Sequence, residues 1–117
     1  MADFGLFIGF GLPVRGRERQ AIKVFNEVFE YFARLQQEGE IESFEPVLLQ
    51  PHGGQFADFF LLRGDQDKLM RIRGSEEFER STTRGDLTVE HAVVGASLGG
   101  RLIEQMSMFA EQVEELT

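Results

Sequence analysis

Asp58 interrupts an otherwise apolar run, Phe56 to Leu62. A carboxylate set into such a strand is partly desolvated, its proton affinity rises, and it becomes able to take a proton from a bound small molecule. The same acid also has structural partners to choose from, since strand carboxylates commonly pair with arginine and Arg63, Arg71 and Arg73 follow closely. His91 and His52 are the two imidazoles, the first at the start of a later apolar stretch and the second in a glycine-bearing loop. Each is a candidate general base, and Asp58 and His91 are the candidate catalytic residues. The two histidines stand far apart in sequence with no third ligand beside them, whereas metal and haem sites need a ligand set and an ordered surrounding shell. No metal and no cofactor is therefore expected. Arg15, Arg17 and Arg19 cluster where an apolar strand gives way to a helix, a place where free backbone N–H groups attract anions. Arg15 and Arg17 are thus candidate ligands for a small carboxylate or phosphate, the alternative being solvated loop charge. Gly9-Phe10-Gly11 lacks the third glycine of a dinucleotide fingerprint and runs into Leu12-Pro13-Val14.

Four strand-like stretches must position these groups: Leu6 to Leu12, Phe44 to Leu49, Phe56 to Leu62 and Ala92 to Leu98. The first strand is expected over Phe4 to Val14. A long helix follows over about Glu18 to Glu38, because Ile22, Phe25, Phe29, Phe32 and Leu35 recur at intervals of three and four. Ile41 to Gln50 and Gln55 to Arg63 read as two strands joined by Pro51-His52-Gly53-Gly54, a short connection suited to an antiparallel hairpin. If Gln50 pairs with Gln55, Val47 lies opposite Asp58 and Glu45 opposite Phe60, and all four share a face. Glu45 accordingly joins the candidate ligand-binding residues. A broken helix is expected over Asp65 to Arg73 and Ser75 to Arg84, with Ser75 as N-cap and Gly85 as stop. Leu87 to Ser97 is the fourth strand, hinged by Gly99-Gly100 to a last helix over about Arg101 to Leu116. That helix carries one apolar seam: Leu102, Met106, Phe109, Val113 and Leu116. Tyr31 and Asn26 are expected on the surface of the long helix with no special role.

The 117 residues suit one domain, 1–117, and the net charge of -8 sets up a field that repels phosphate backbones and anionic lipid headgroups. Neither nucleic acid nor a membrane is expected as a partner. No apolar run approaches the ~18 residues of a spanning helix, and the interrupted, acid-preceded N-terminal run is unlike a signal peptide. The absence of cysteine is compatible with a reducing cytoplasm, the expected location. The twelve phenylalanines mostly fall at core-facing positions.

The strands do not alternate apolar with polar, so both faces of their sheet want to be dry. Two right-handed crossover helices lie on one face, and a single narrow seam on the last helix cannot cover four strands. A homodimer packed sheet face to sheet face removes the difficulty.

The chain resembles the dimeric α+β barrel superfamily of ferredoxin-like units. The segment Phe59-Phe60-Leu61-Leu62-Arg63-Gly64-Asp65, running into Ser75-Glu76-Glu77-Phe78, is similar to uncharacterised bacterial members. The resemblance implies an α+β fold, βαββαβ with a four-stranded antiparallel sheet plus a C-terminal helix, and a ligand cleft between sheet and helices. Small monooxygenases, haem-binding enzymes, lactone isomerases and stress-response proteins use that architecture, and fold alone does not choose among them. The chain has no Trp, a residue that resembles part of the catalytic set in several cofactor-free oxygenases of the superfamily. Three readings follow: a homodimer of unassigned role that binds a small organic molecule, a cofactor-independent monooxygenase or isomerase, and a structural module without a pocket.

Overall fold

A computed structural model describes residues 2–117. Its elements run β1 (Phe4–Pro13), α1 (Glu18–Gln37), β2 (Ser43–Leu48), β3 (Asp58–Gly64), α2 (Gln66–Arg73), α3 (Glu76–Asp86), β4 (Val89–Ser97) and α4 (Gly99–Leu116). The sheet has strand order β2-β3-β1-β4, with every neighbouring pair antiparallel. This is the α+β, ferredoxin-like βαββαβ arrangement followed by an extra helix.

Period-two alternation sorts β1 into two faces. Phe4, Leu6, Ile8 and Phe10 point into the core under the helices, while Gly5, Phe7, Gly9 and Gly11 share the opposite face. Phe60 of β3 is fully buried at the centre of an aromatic cluster. Phe25 and Phe32 lie 5.0 and 5.2 Å away, Phe10 5.9 Å, and Phe29 and Phe44 6.4 Å. Such offset and edge-on ring pairs add to the burial energy of each ring. Asp65 caps α2 by accepting from the Lys68 N–H at 3.1 Å, and Ser75 caps α3 by accepting from the Phe78 N–H at 3.2 Å.

Several local expectations need correction. α1 buries Ala21, Val24, Val28, Tyr31, Phe32 and Leu35, so Phe32 and Leu35 of the expected stripe reach the core, Phe25 packs at its margin, and Ile22 and Phe29 do not belong to it. Ile22 is 64% exposed, and Phe29 leans outward onto Phe44 of the edge strand, ring centroids 5.3 Å apart. Tyr31 is buried, and burial is the first cause raising its phenol above the usual value. Gly85 does not stop α3, which continues to Asp86. Gly85 instead lies against the His91 ring, where a β-carbon would sit in ordinary contact at 3.5 Å.

The β2–β3 connection spans residues 49–57, longer than a tight hairpin, and the register is offset by one from the expected pairing. Leu48, not Val47, lies opposite Asp58, and Pro46, not Glu45, lies opposite Phe60. A one-residue slip moves every side chain of a strand to the other face.

The open face of the sheet carries Phe7, Phe59, Leu61 and Val94, the last 52% exposed. Phe7 packs on Phe56 at 5.6 Å and Phe59 at 5.2 Å, and a β-carbon on Gly9 would come within 2.8 Å of the Phe56 ring. The final helix does not cover this face: α4 buries no residue, and Leu102, Met106, Phe109, Val113 and Leu116 are all exposed. The radius of gyration is 16.0 Å, against about 13 Å for a compact chain of this length. The accessible surface is 8021 Å², about 1,600 Å² above the size-scaling value of about 6,450 Å² for a folded monomer of this mass.

Candidate functional site

At the end of the sheet where β1 finishes, a cleft of about 270 Å³ opens between α1 and the strands. Phe10, Ala21, Val24 and Phe25 form its floor and inner wall, Ile22 and Leu48 its lip, with Ala57, Thr88 and Val89 at the sides. Its one acidic lining residue is Asp58. The first residue of β3, Asp58 points to the helix side because it pairs with Phe10 of β1, itself a core-facing position. Burial alone pushes its carboxyl from 3.8 up to about 6. Among the described residues no cation pairs with it: Arg63 binds Glu45 at 3.0 Å, and Arg73 donates to the Val93 carbonyl at 3.1 Å. The arginine pairing expected for a strand acid is thus absent, because Arg63 lies on the open face. An unpaired carboxyl in apolar surroundings near neutral pH can accept a proton or a hydrogen bond from whatever enters.

Thr88 is the other polar group in the wall, and it is buried. Its hydroxyl donates to the last carbonyls of α3, Arg84 at 3.0 Å and Gly85 at 3.2 Å. Only its lone pairs remain for a ligand. Nothing in the sequence marked Thr88, since its burial follows from where α3 ends.

His91 lies in the same cross-sheet row as Asp58, with Phe10 between them. Phe10 stacks on the imidazole at 6.1 Å, and the His91 side chain is only 7% exposed. It faces a void of about 10 Å³ under α3, lined by Val28, Phe32, Phe78 and Ser81, which has no room for an organic ligand. Asp86 Oδ1 lies 2.8 Å from His91 Nδ1, a close contact without the alignment of a hydrogen bond. The structure therefore separates the two candidate catalytic groups, and only Asp58 lines the cleft.

Glu45 is likewise separated. The shifted register places it on the open face, paired with Arg63, away from Asp58. Arg15 and Arg17 occupy the connection from Pro13 to α1 and Arg19 the first turn of that helix, close in sequence to the cleft residues Pro13 and Ala21, but their own side chains are exposed and do not line it. His52 organises the β2–β3 connection: Nδ1 accepts from the Gly54 N–H at 2.9 Å, leaving Nε2–H to donate to the Phe56 carbonyl at 2.6 Å. The described residues contain no cluster of three or more His, Asp or Glu able to hold a metal ion.

Fold and cleft together define a ferredoxin-like α+β domain with a small apolar pocket between helix and sheet. No protein-family model matches the chain, and no curated protein matches it. Among solved structures, the chain is similar to a dimeric protein of unknown function and ferredoxin-like fold from Bacteroides fragilis NCTC 9343. That likeness has a TM-score of 0.59 at 15% identity, over 82% of this chain and 97% of the other. It is also similar to SnoaB, a cofactor-independent oxygenase from Streptomyces nogalater, with a TM-score of 0.58 at 17% identity over 84% and 95% of the two chains. At these identities the likeness establishes the fold.

Proposed function

We propose that the protein is a homodimer that binds a small, largely apolar organic molecule in the cleft, where Asp58 meets the ligand's polar group. The observation that carries this reading is an unpaired carboxyl held in an apolar cavity of about 270 Å³. That volume sits at the small end of ligand pockets, and a few convergent polar groups in an apolar lining are their usual chemistry. The pocket also argues against a purely structural module. The homodimer is supported by the apolar open face, by the surface excess of about 1,600 Å² over a compact monomer, and by the dimeric state of the Bacteroides fragilis protein. A cytoplasmic, non-membrane role fits the lack of cysteine and the net charge of -8, which also disfavours nucleic acid; among the described residues no helix is long and apolar enough to cross a membrane.

A second reading, a cofactor-independent oxygenase or isomerase, is favoured by the Asp58 carboxyl at about 6 and by the likeness to SnoaB. A base of that strength abstracts a proton from a moderately acidic C–H or O–H at neutral pH. His91, Arg15, Arg17 and Glu45 do not line the cleft, so Asp58 carries the chemistry in both readings. The test is binding of an apolar fluorescent probe at pH 7.5 to the parent protein and to Ala21→Trp, which fills the cleft. The reading expects saturable binding by the parent and its loss in the variant. Equal binding by both contradicts it.

A further inference from the structure

Two apolar surfaces are left uncovered at opposite ends of the subunit. One is the seam of α4, which starts beside Asp3 at the beginning of β1, where the Leu98 N–H donates to the Asp3 carbonyl at 2.8 Å. The other is the lip of the cleft at the far end of β1, where Ile22 is 64% and Leu48 81% exposed. The length of β1, roughly 33 Å at strand rise, separates them, and α4 is itself about 27 Å long.

Charge is distributed the same way. α4 carries Glu104, Glu111, Glu114 and Glu115 against the single cation Arg101. Beside the cleft lip stand Arg15, Arg17 and Arg19, which make no side-chain hydrogen bond or ion pair among the described residues. An isologous pair can bring like ends or opposite ends together. Like ends set one acidic helix beside another. Opposite ends set the acidic helix beside the free arginines and the apolar seam over the apolar lip. The surface excess of about 1,600 Å² per chain exceeds the ~800 Å² each partner gives to a standard interface, so sheet contact and helix contact can both be accommodated.

We infer that α4 of each subunit reaches across to the second copy, closing that copy's cleft with its Leu102–Leu116 seam and setting Glu111, Glu114 and Glu115 against Arg15, Arg17 and Arg19. Each cleft is then complete only in the dimer. The inference rests on the homodimer reading, and the experiment separates the two.

Two full-length variants are made: Arg15/Arg17/Arg19→Glu and Glu111/Glu114/Glu115→Lys. Sedimentation equilibrium at low salt is expected to show dimerisation weakened at least ~10-fold in each alone, because attractive contacts turn repulsive at both symmetric sites. A 1:1 mixture is expected to form a heterodimer of near-parental affinity, since each helix then meets a loop of opposite sign. The lysine variant is the sharper arm. It brings the net charge nearer zero, so the weaker general repulsion would by itself strengthen self-association, whereas loss of the crossed-helix contacts weakens it. The native chain has no cysteine, so Arg17→Cys mixed with Glu114→Cys gives a second readout with a flexible bismaleimide. A covalent heterodimer is expected. A parent that dimerises while the charge variants are unaffected, or that cross-links only Glu114→Cys to itself, overturns the crossed helix and leaves the dimer standing. A parent that is monomeric at micromolar concentration overturns both.

Discussion

Replacing Asp58 with Asn is expected to stabilise the protein at alkaline pH and leave it unchanged in acid. The folded chain holds this carboxyl at about 6 against an ordinary 3.8, so the native state grips the proton more tightly than the unfolded chain does. Well below pH ~3.8 both states are protonated and the group costs nothing. As pH rises from there to about 6, the unfolded chain ionises first and stability falls, reaching a constant deficit above that value. The full displacement sets a ceiling of about 3 kcal/mol. Water still reaches the half-buried carboxyl, and screening lowers the figure to about 1–2 kcal/mol. For a chain of this size that corresponds to roughly 5 °C in Tm. Thermal unfolding of parent and Asp58→Asn at about pH 3 and pH 8 reads it directly. Equal Tm values at the acid pH with the variant ahead at pH 8 are expected. A parent that gains on the variant as pH rises would show a carboxylate stabilised by a cation, and would refute the unpaired, desolvated placement.

Phe60→Ala is expected to cost about 3–5 kcal/mol, because Phe60 is fully buried among five other rings, and denaturant titration should show a transition moved to much lower concentration or lost. Val94→Glu, on the open face, is expected to leave the thermal transition of the subunit fold in place while shifting sedimentation toward monomer; a variant that unfolds outright would speak against a surface role. Ser75→Ala removes the cap of α3 and is expected to cost about 1 kcal/mol in the same denaturant assay, with no change in probe binding.

Element order was legible in the sequence for physical reasons. The strands are apolar runs bounded by Gly and Pro, and Ser75 followed by acids marks a helix start wherever it occurs. Register was not legible. Pro51-His52-Gly53-Gly54 has the composition of a tight turn, yet it lies inside a longer loop that His52 ties to Gly54 and Phe56. The single-residue offset that results sends Glu45 to the open face and leaves Asp58 alone. The α1 stripe is legible only in part. Phe32 and Leu35 are buried as the spacing suggests, but Ile22 and Phe29 serve the cleft lip and the sheet edge, and the smaller Ala21, Val24 and Val28 fit beneath against the bulky rings of the strands. Asp58 stood out because an acid in an apolar strand carries a desolvation cost that any burial exposes. The rest of the cleft did not, because its walls come from β1, α1, β2, β3 and β4 and meet only in three dimensions. His91 is a candidate by residue type alone, while its position behind Phe10 depends on cross-strand pairing.

The cleft assignment is tested most directly by native mass spectrometry of the protein isolated from its own source, alongside Ala21→Trp isolated the same way. A dimer carrying one small organic adduct per subunit, absent from the filled variant, is the expected result. An adduct retained undiminished by Ala21→Trp would place the ligand elsewhere and contradict it.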